Sequence, residues 1–365
     1  MIDFRYHVVS IVAVFLALTV GLVIGASILS KGLADSLRGS LAQSNSQIKS
    51  QQSQITELKS EIEQRDRYIS ATATGLVAHQ LDAGCIAVIQ IAGADSNAYS
   101  AVTTMLQKQS GATICSETTI NAAFTADGST QQLSELLATH TPVGQTLTGP
   151  TVQQEAAQLL AEALTTAQPG GGTTTVTSPS PSATASTGAK AGKGAAKKAT
   201  PTASPGASTG SGGGASGSAG AMTASEALTT LKDFQNDGMI TLTVSPADWG
   251  QANLAYIAAP STANTDPENQ TYLTLAASLR QGGALPMVGG SGQSADKGGL
   301  ISAVIADATA SRDIPTVDDT DSTMGQVASV FCLAELLQGG TSVAGHYGTG
   351  TDNDGLVPPN LAGLG

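Results

Sequence analysis

The chain has 365 residues, of which 42 are glycine and only 5 Phe, 6 Tyr and 1 Trp, so part of its length cannot be packed core. Lys and Arg total 16 against 28 Asp and Glu, a formal net charge of −12. Phosphate contacts need clustered cations, and this balance argues against a nucleic-acid binder.

Residues 1–7 read as a short tail. Residues 8–29 then run for 22 positions without a charge. A helix of that length reaches about 33 Å, enough for a hydrocarbon core of about 30 Å. Gly21, Gly25 and Ala26 are tolerable there because a membrane helix satisfies its own backbone hydrogen bonds. The alternative is a cleaved secretory signal, but such cores usually span about 7–15 residues, and no clear small-x-small site follows. The segment is predicted to be a single-pass anchor in the cell membrane. Arg5 lies before it and Lys31, Arg38 and Lys49 after it. The positive-inside count therefore slightly opposes an N-in orientation, while the short tail and long polar body fit a signal-anchor. Charge alone leaves the orientation open.

Residues 33–72 contain no proline, and Leu41, Ile48, Ile55, Ile62 and Ile69 recur at seven-residue spacing. β-Branched residues at such positions favour two-stranded coiled coils. The second seam is half built, with Leu37 and Leu58 apolar but Ser44, Gln51 and Arg65 polar. A membrane-proximal coiled coil is predicted, making a homodimer or higher oligomer; a single stalk helix is the alternative.

From Gly84 the pattern changes to α/β. CIAVIQIAG reads as a buried strand, residues 96–109 as a helix, ATICSETTI as a second strand, and residues 129–138 and 151–167 as helices. Residues 169–221 are nearly all Gly, Ser, Thr, Ala and Pro with Lys190, Lys193, Lys197 and Lys198. Such a segment buries too little apolar surface to offset its ordering entropy, and disorder is predicted. Beyond it EALTTLKDFQ is helical, MITLTV and NLAYIAA are strands, and a helix over residues 267–281 opens at Asp266-Pro267. ALPMVGG, a helix over 295–311, IPTV and a helix over 324–337 follow. Two strands alone make a poor sheet, so 84–168 and 222–348 are taken as a single Rossmann-like parallel-sheet domain, with 349–365 a C-terminal tail.

Chemical motifs are sparse. Gly290-Ser291-Gly292-Gln293-Ser294-Ala295 fits G-x-G-x-x-A between a strand and a helix, yet in so glycine-rich a chain a plain tight turn is favoured. Asp318-Asp319-Thr320-Asp321 could face a cation, but preceding a helix it reads better as capping. Asp352-Asn353-Asp354-Gly355 holds part of a calcium loop without the other ligands. Soft-metal donors are Cys85, Cys115, Cys332, five internal methionines (Met105, Met222, Met239, Met287, Met324) and His7, His79, His140 and His346, none in CxxC, MxxM or HxxxH spacing. Three widely spaced cysteines make no disulfide framework, although one pair could form outside the cytoplasm. Cys85 and Cys332 sit in apolar runs and read as buried hydrophobes. His346 reads as a surface histidine in a glycine-rich turn. No nucleophile–base set is visible, so no catalytic residue, cofactor or metal ligand is assigned and an enzyme is not supported.

The opening MIDFRYHVVSIVAVFLALTVGLVIGASILSKGL, the seven-residue repeat, PTVDD at 315–319 and GHYGTG at 345–350 together resemble the MctB-type bacterial copper transporter family. The resemblance covers the whole architecture except the 169–221 insertion. It implies a cell-envelope protein of copper homeostasis or efflux with an extracytoplasmic body. A copper ion and a second membrane protein are its implied partners. The residues themselves also fit a non-enzymatic envelope or cell-separation scaffold, acting through the coiled coil. One helix cannot enclose a pore, so transport would require oligomers.

Overall fold

The computed structural model of the protein describes residues 4–166, 221–243, 251–339, 344–350 and 353–359, with the side chains of residues 4, 5 and 26–35 excepted. The insertion predicted to be disordered lies outside the described residues save for Ala221. The chain divides into two units, Met1–Ala71 and Thr72–Gly365.

The described residues of the first unit are helix. Helix α1, Phe4–Val77, is 74 residues long and passes without a break from the apolar opening through the seven-residue repeat. Within it, Tyr6–Gly25 is long and apolar enough to cross a membrane, and none of that stretch is covered by protein. Leu41, Ile48, Ile55 and Ile62 are each at least half exposed on the same helix.

The second unit is mixed α/β. His79 takes a left-handed backbone, φ 62°, just past the end of α1, the conformation that commonly closes a helix. Strand β1 (Cys85–Ile91), helix α2 (Ser96–Lys108) and strand β2 (Thr113–Ile120) follow, then α3 (Thr130–His140) and α4 (Val152–Thr166). After the insertion come α5 (Ala224–Asn236), β3 (Ile240–Leu242), β4 (Leu254–Ala258), α6 (Asp266–Gln281), β5 (Leu285–Gly289), α7 (Leu300–Ala306), α8 (Ala310–Asp313), β6 (Thr316–Val317), α9 (Thr323–Gly339) and β7 (His346–Tyr347). The predicted start of α6 is a full capping box: Thr265 Oγ1 accepts from Glu268 N–H and the Glu268 carboxylate accepts from Thr265 N–H. The helix α5 opens in the same way with Thr223 and Glu226.

The strands form one sheet in the order β3-β2-β1-β4-β5-β6-β7. Every pairing is parallel except β2 with β3, which corrects the expectation of a purely parallel sheet. The reason is local: α5 runs through the Asp237-Gly238 turn straight into β3, whose residues pair back on β2 from Ile120↔Ile240 to Thr118↔Leu242.

Alternation along the central strands separates two cores. Ala87, Ile89 and Ile91 of β1 and Ala255 and Ile257 of β4 face α3 to α7. Ile86 and Val88 of β1 and Leu254, Tyr256 and Ala258 of β4 face Ala73 and Val77, α2 and α9. A sheet buried on both faces needs near-continuous apolar strands, and CIAVIQI and LAYIA supply them.

Two further expectations need correction. The single helix predicted over 295–311 is divided into a 3-10 turn (Gly292–Ala295), α7 and α8. Gly298 sits at φ +89°, outside helical space, and the Asp307 carboxylate accepts from Thr309 N–H and Ala310 N–H, starting a new turn. The chain around His346 is strand, not loop. Its two residues pair with β6 through Thr316↔His346 and Val317↔Tyr347.

Candidate functional site

The segments PTVDD and GHYGTG, 30 residues apart in the chain, meet at the β6–β7 edge of the sheet. Asp318 follows β6 at its C-terminal end and is fully buried. Its Oδ1 accepts from Thr349 N–H at 2.8 Å; its Oδ2 accepts from Gly350 N–H and the Asn353 side-chain amide, both at 2.8 Å. Three neutral donors thus solvate one buried carboxylate, and the glycine-rich loop after β7 is wrapped around it. Gly348 supports the wrap with a φ of +128° that other residues rarely adopt. Asp354 completes the turn: its carboxylate accepts from His346 N–H at 2.9 Å and its own N–H donates to His346 O at 2.7 Å.

This arrangement replaces the capping role expected of Asp318. The N-terminus of α9 is capped by Ser322, whose Oγ accepts from Gly325 N–H at 3.0 Å and donates to Asp319 Oδ2 at 3.0 Å. Asp319 therefore acts behind the cap. Its other oxygen, Oδ1, is buried without a hydrogen-bond partner. Burial raises the Asp319 pKa, opposed by the Ser322 hydroxyl and reinforced by Asp318. The partial calcium-loop pattern also resolves into structure: Asn353 and Asp354 close the loop on Asp318 and His346, and Asp352 lies outside the described residues.

His346 is buried on β7, not a surface residue in a turn. Nδ1 lies 3.0 Å from Thr316 Oγ1, and the ring also bonds the backbone of Ser311. Burial lowers its pKa, against the pull of Asp354 and of that backbone bond. A folded state that resists protonation binds fewer protons than the unfolded chain below the ordinary value of 6.5, so stability falls as pH drops below that value. Thermal unfolding measured across pH 7.5 to 5.5 should show this loss. His346→Gln should flatten the dependence in that range, and an unchanged slope would contradict the assignment.

A cavity of about 210 Å³ lies beside Asp318, lined also by Ala295, Ser302, Ile305, Gly350 and Asn353. Among the described residues that line it there is no thiol, thioether or imidazole. The soft donors lie elsewhere: Cys332 and Met287 are fully buried in the core beneath α9, and burial holds the Cys332 thiol well above its ordinary pKa. Met222 and Met239 are buried in the opposite core. His140 pairs with Asp233 at 3.0 Å and His79 with Asp82 at 3.1 Å. Among the described residues no group of three or more His, Cys, Asp or Glu is placed to hold a metal ion.

Cys85 and Cys115 do meet. They form a disulfide between β1 and β2 with Cα atoms 5.5 Å apart, which corrects the reading of Cys85 as a free buried hydrophobe. The register shifts between Ile86 and Ala87, so that Ile86 opposes Ile114, Ala87 opposes Ser116, and Cys115 is the extra residue. That bulge carries its side chain toward Cys85.

The other tempting motif, residues 290–295, folds as a tight turn. Gly290 N–H donates to Val317 O, Ser294 Oγ donates to Ser291 O, and the following helix does not begin until Leu300. Where strand order reverses, between β1 and β4, the two following loops are bonded to each other. Ser261 N–H and Oγ both donate to Gly93 O at 2.9 Å, and Ala94 bridges to Pro260. At the N-terminus of α2 the Asp95 carboxylate already accepts from Asn97 N–H and Ala98 N–H, the place a phosphate would need.

Residues 1–358 match the family model described as "Copper transport outer membrane protein, MctB". The chain belongs to the MctB family. Relatives named "Copper transporter MctB", from Mycobacterium bovis and from two strains of Mycobacterium tuberculosis, are 25% identical to it over 359 residues. The alignment covers 96% of this chain and 97% of theirs. The MctB match thus extends from the apolar opening through the Asp318-centred loop. What the geometry adds is that PTVDD and GHYGTG are two halves of one folded element. Sequence reasoning missed this because Asp318 stands in an acidic run that looks like a cap. The signal available was the glycine spacing of GHYGTG, which marks a backbone that must approach something closely.

Proposed function

We propose that this protein is a single-pass, membrane-anchored component of copper transport, with an extracytoplasmic α/β body and no enzymatic chemistry. The observation that carries the reading is the match of residues 1–358 to a copper-transport family, whose N-terminal part here is an uncovered apolar helix. The Cys85–Cys115 disulfide supports the placement of the body, because such bonds persist outside reducing compartments. The sheet order resembles that of Rossmann-like doubly wound folds, with an antiparallel edge added by β3. The bonded switch-point loops and the Asp95 cap on α2 fit a scaffold better than a nucleotide enzyme. Copper is the cargo in this reading. A single helix cannot enclose its path, so copies or a second membrane protein must assemble around it. Copper accumulation in cells lacking the gene tests the proposal.

A second reading is favoured by the exposed stripe Leu41, Ile48, Ile55 and Ile62. It makes the protein an envelope scaffold whose helix pairs with a second copy as a parallel coiled coil, both copies being anchored at the same end. Ile55→Cys in a Cys332→Ser background should give a disulfide-linked dimer in isolated membranes, whereas Ser53→Cys, on the outer face, should not. Equal cross-linking at both positions, or none at either, would sink the pairing.

A further inference from the structure

We propose that Cys85 and Cys115, once their disulfide is reduced, form a two-thiolate site for one Cu(I) ion. The choice of metal rests on the copper reading above; the site rests on the fold. Thiolates are soft ligands that select Cu(I) over the hard cations. Two of the three sulfhydryl groups in the chain are set side by side on adjacent strands, and the third, Cys332, is sealed in the core.

The strands around the pair are held by backbone and side-chain hydrogen bonds as well as by the sulfur–sulfur bond. Cys85 N–H donates to Asn253 Oδ1 at 2.9 Å and Asn253 N–H donates to Cys85 O at 3.0 Å. On the other side Thr113 N–H donates to Gly84 O at 2.8 Å, and β1 stays paired with β2 through Ile120 and with β4 through Ala258. Reduction therefore frees the sulfurs while both Cα positions stay held. Cys85 is partly exposed and gives an ion a route in from solvent; Cys115, on the bulge, is buried behind it.

The chemistry balances in two steps. A dithiol reductant transfers two electrons and two protons to the disulfide, becoming a disulfide itself and leaving two Cys thiols. Cu(I) then displaces the two thiol protons and is held by two thiolates, without change of its oxidation state. In the oxidised chain both sulfurs are spent, and the site is closed. In the extracytoplasmic placement proposed above the closed disulfide is the resting state, so binding is gated by delivery of a dithiol reductant to this one bond.

The test titrates the full-length chain in detergent micelles with Cu(I) under anaerobic conditions, against bicinchoninate as the competing chelator. One portion is reduced with a dithiol and desalted, and one is left oxidised. The reduced chain should withdraw one Cu(I) per molecule from the competitor and the oxidised chain none. Cys85→Ser and Cys115→Ser should each abolish the withdrawal. Failure of the reduced chain to compete, or equal competition by the oxidised chain, would overturn the site. Circular dichroism checks that the serine variants fold; if they do not, the reduced-against-oxidised comparison, made on one unaltered sequence, decides. A null titration removes this site only, because the function proposed above stands or falls on copper accumulation in cells.

Discussion

Asp318→Ala should destabilise the α/β body by about 1–3 kcal/mol, the range expected when hydrogen-bond donors lose the acceptor they were folded onto. The carboxylate is fully buried and serves three donors, Thr349 N–H, Gly350 N–H and the Asn353 amide. Without it those groups lose the acceptor that holds the loop in place, and a loop that turns them to water instead strips the cover from the β6–β7 edge. Asp318→Asn keeps one accepting oxygen but turns an NH2 toward a donor, so an intermediate loss is expected. Asp321 is exposed in the same acidic run, and Asp321→Ala should change stability by less than about 0.5 kcal/mol. Urea denaturation followed by near-ultraviolet circular dichroism separates these outcomes. Equal effects at 318 and 321 would mean that the run acts only through its overall charge.

Replacing Leu16 and Leu18 together by arginine should release the protein from the membrane. Both lie near the middle of Tyr6–Gly25. Each arginine at the centre of a membrane helix costs about 2.5–3.5 kcal/mol on insertion scales, so the pair shifts partitioning by roughly four orders of magnitude. The readout is carbonate extraction of membranes: the unaltered chain should stay with the pellet and the double variant should appear in the supernatant. Retention of the variant would show that something other than this helix holds the protein. Mass measurement of the unaltered chain gives the companion check, since a cleaved signal would remove the apolar stretch that an anchor keeps.

Much of the architecture was legible because its causes are local. The proline-free helical stretch up to residue 77 and the capping signal before Pro267 each carry their own physics and need no distant partner. The strands β1 and β4 were readable for the same reason, as short β-branched or apolar runs bounded by turn residues. What escaped were features made by encounter. His346 and Tyr347 become a strand only because β6 lies beside them, and two residues have no periodicity to read. Asp318 differs from Asp321 only by what the fold brings to it from residues 349–353. Cys85 looked like core because its neighbours are apolar, and its partner lies on a bulge that no spacing rule anticipates. The break in the 295–311 helix was partly visible in Gly298-Gly299, yet its restart at Asp307 depended on a side chain turning back to the backbone.

Copper transport at the membrane can be tested in living cells. The most direct test is the copper content of cells lacking the gene, grown across a series of copper concentrations, with the intact gene restored as control. Such cells should accumulate copper and grow poorly at high copper, both reversed by restoration. Unchanged copper content, accompanied by defects of envelope or cell separation, would contradict copper transport and leave the paired helix as the functional element.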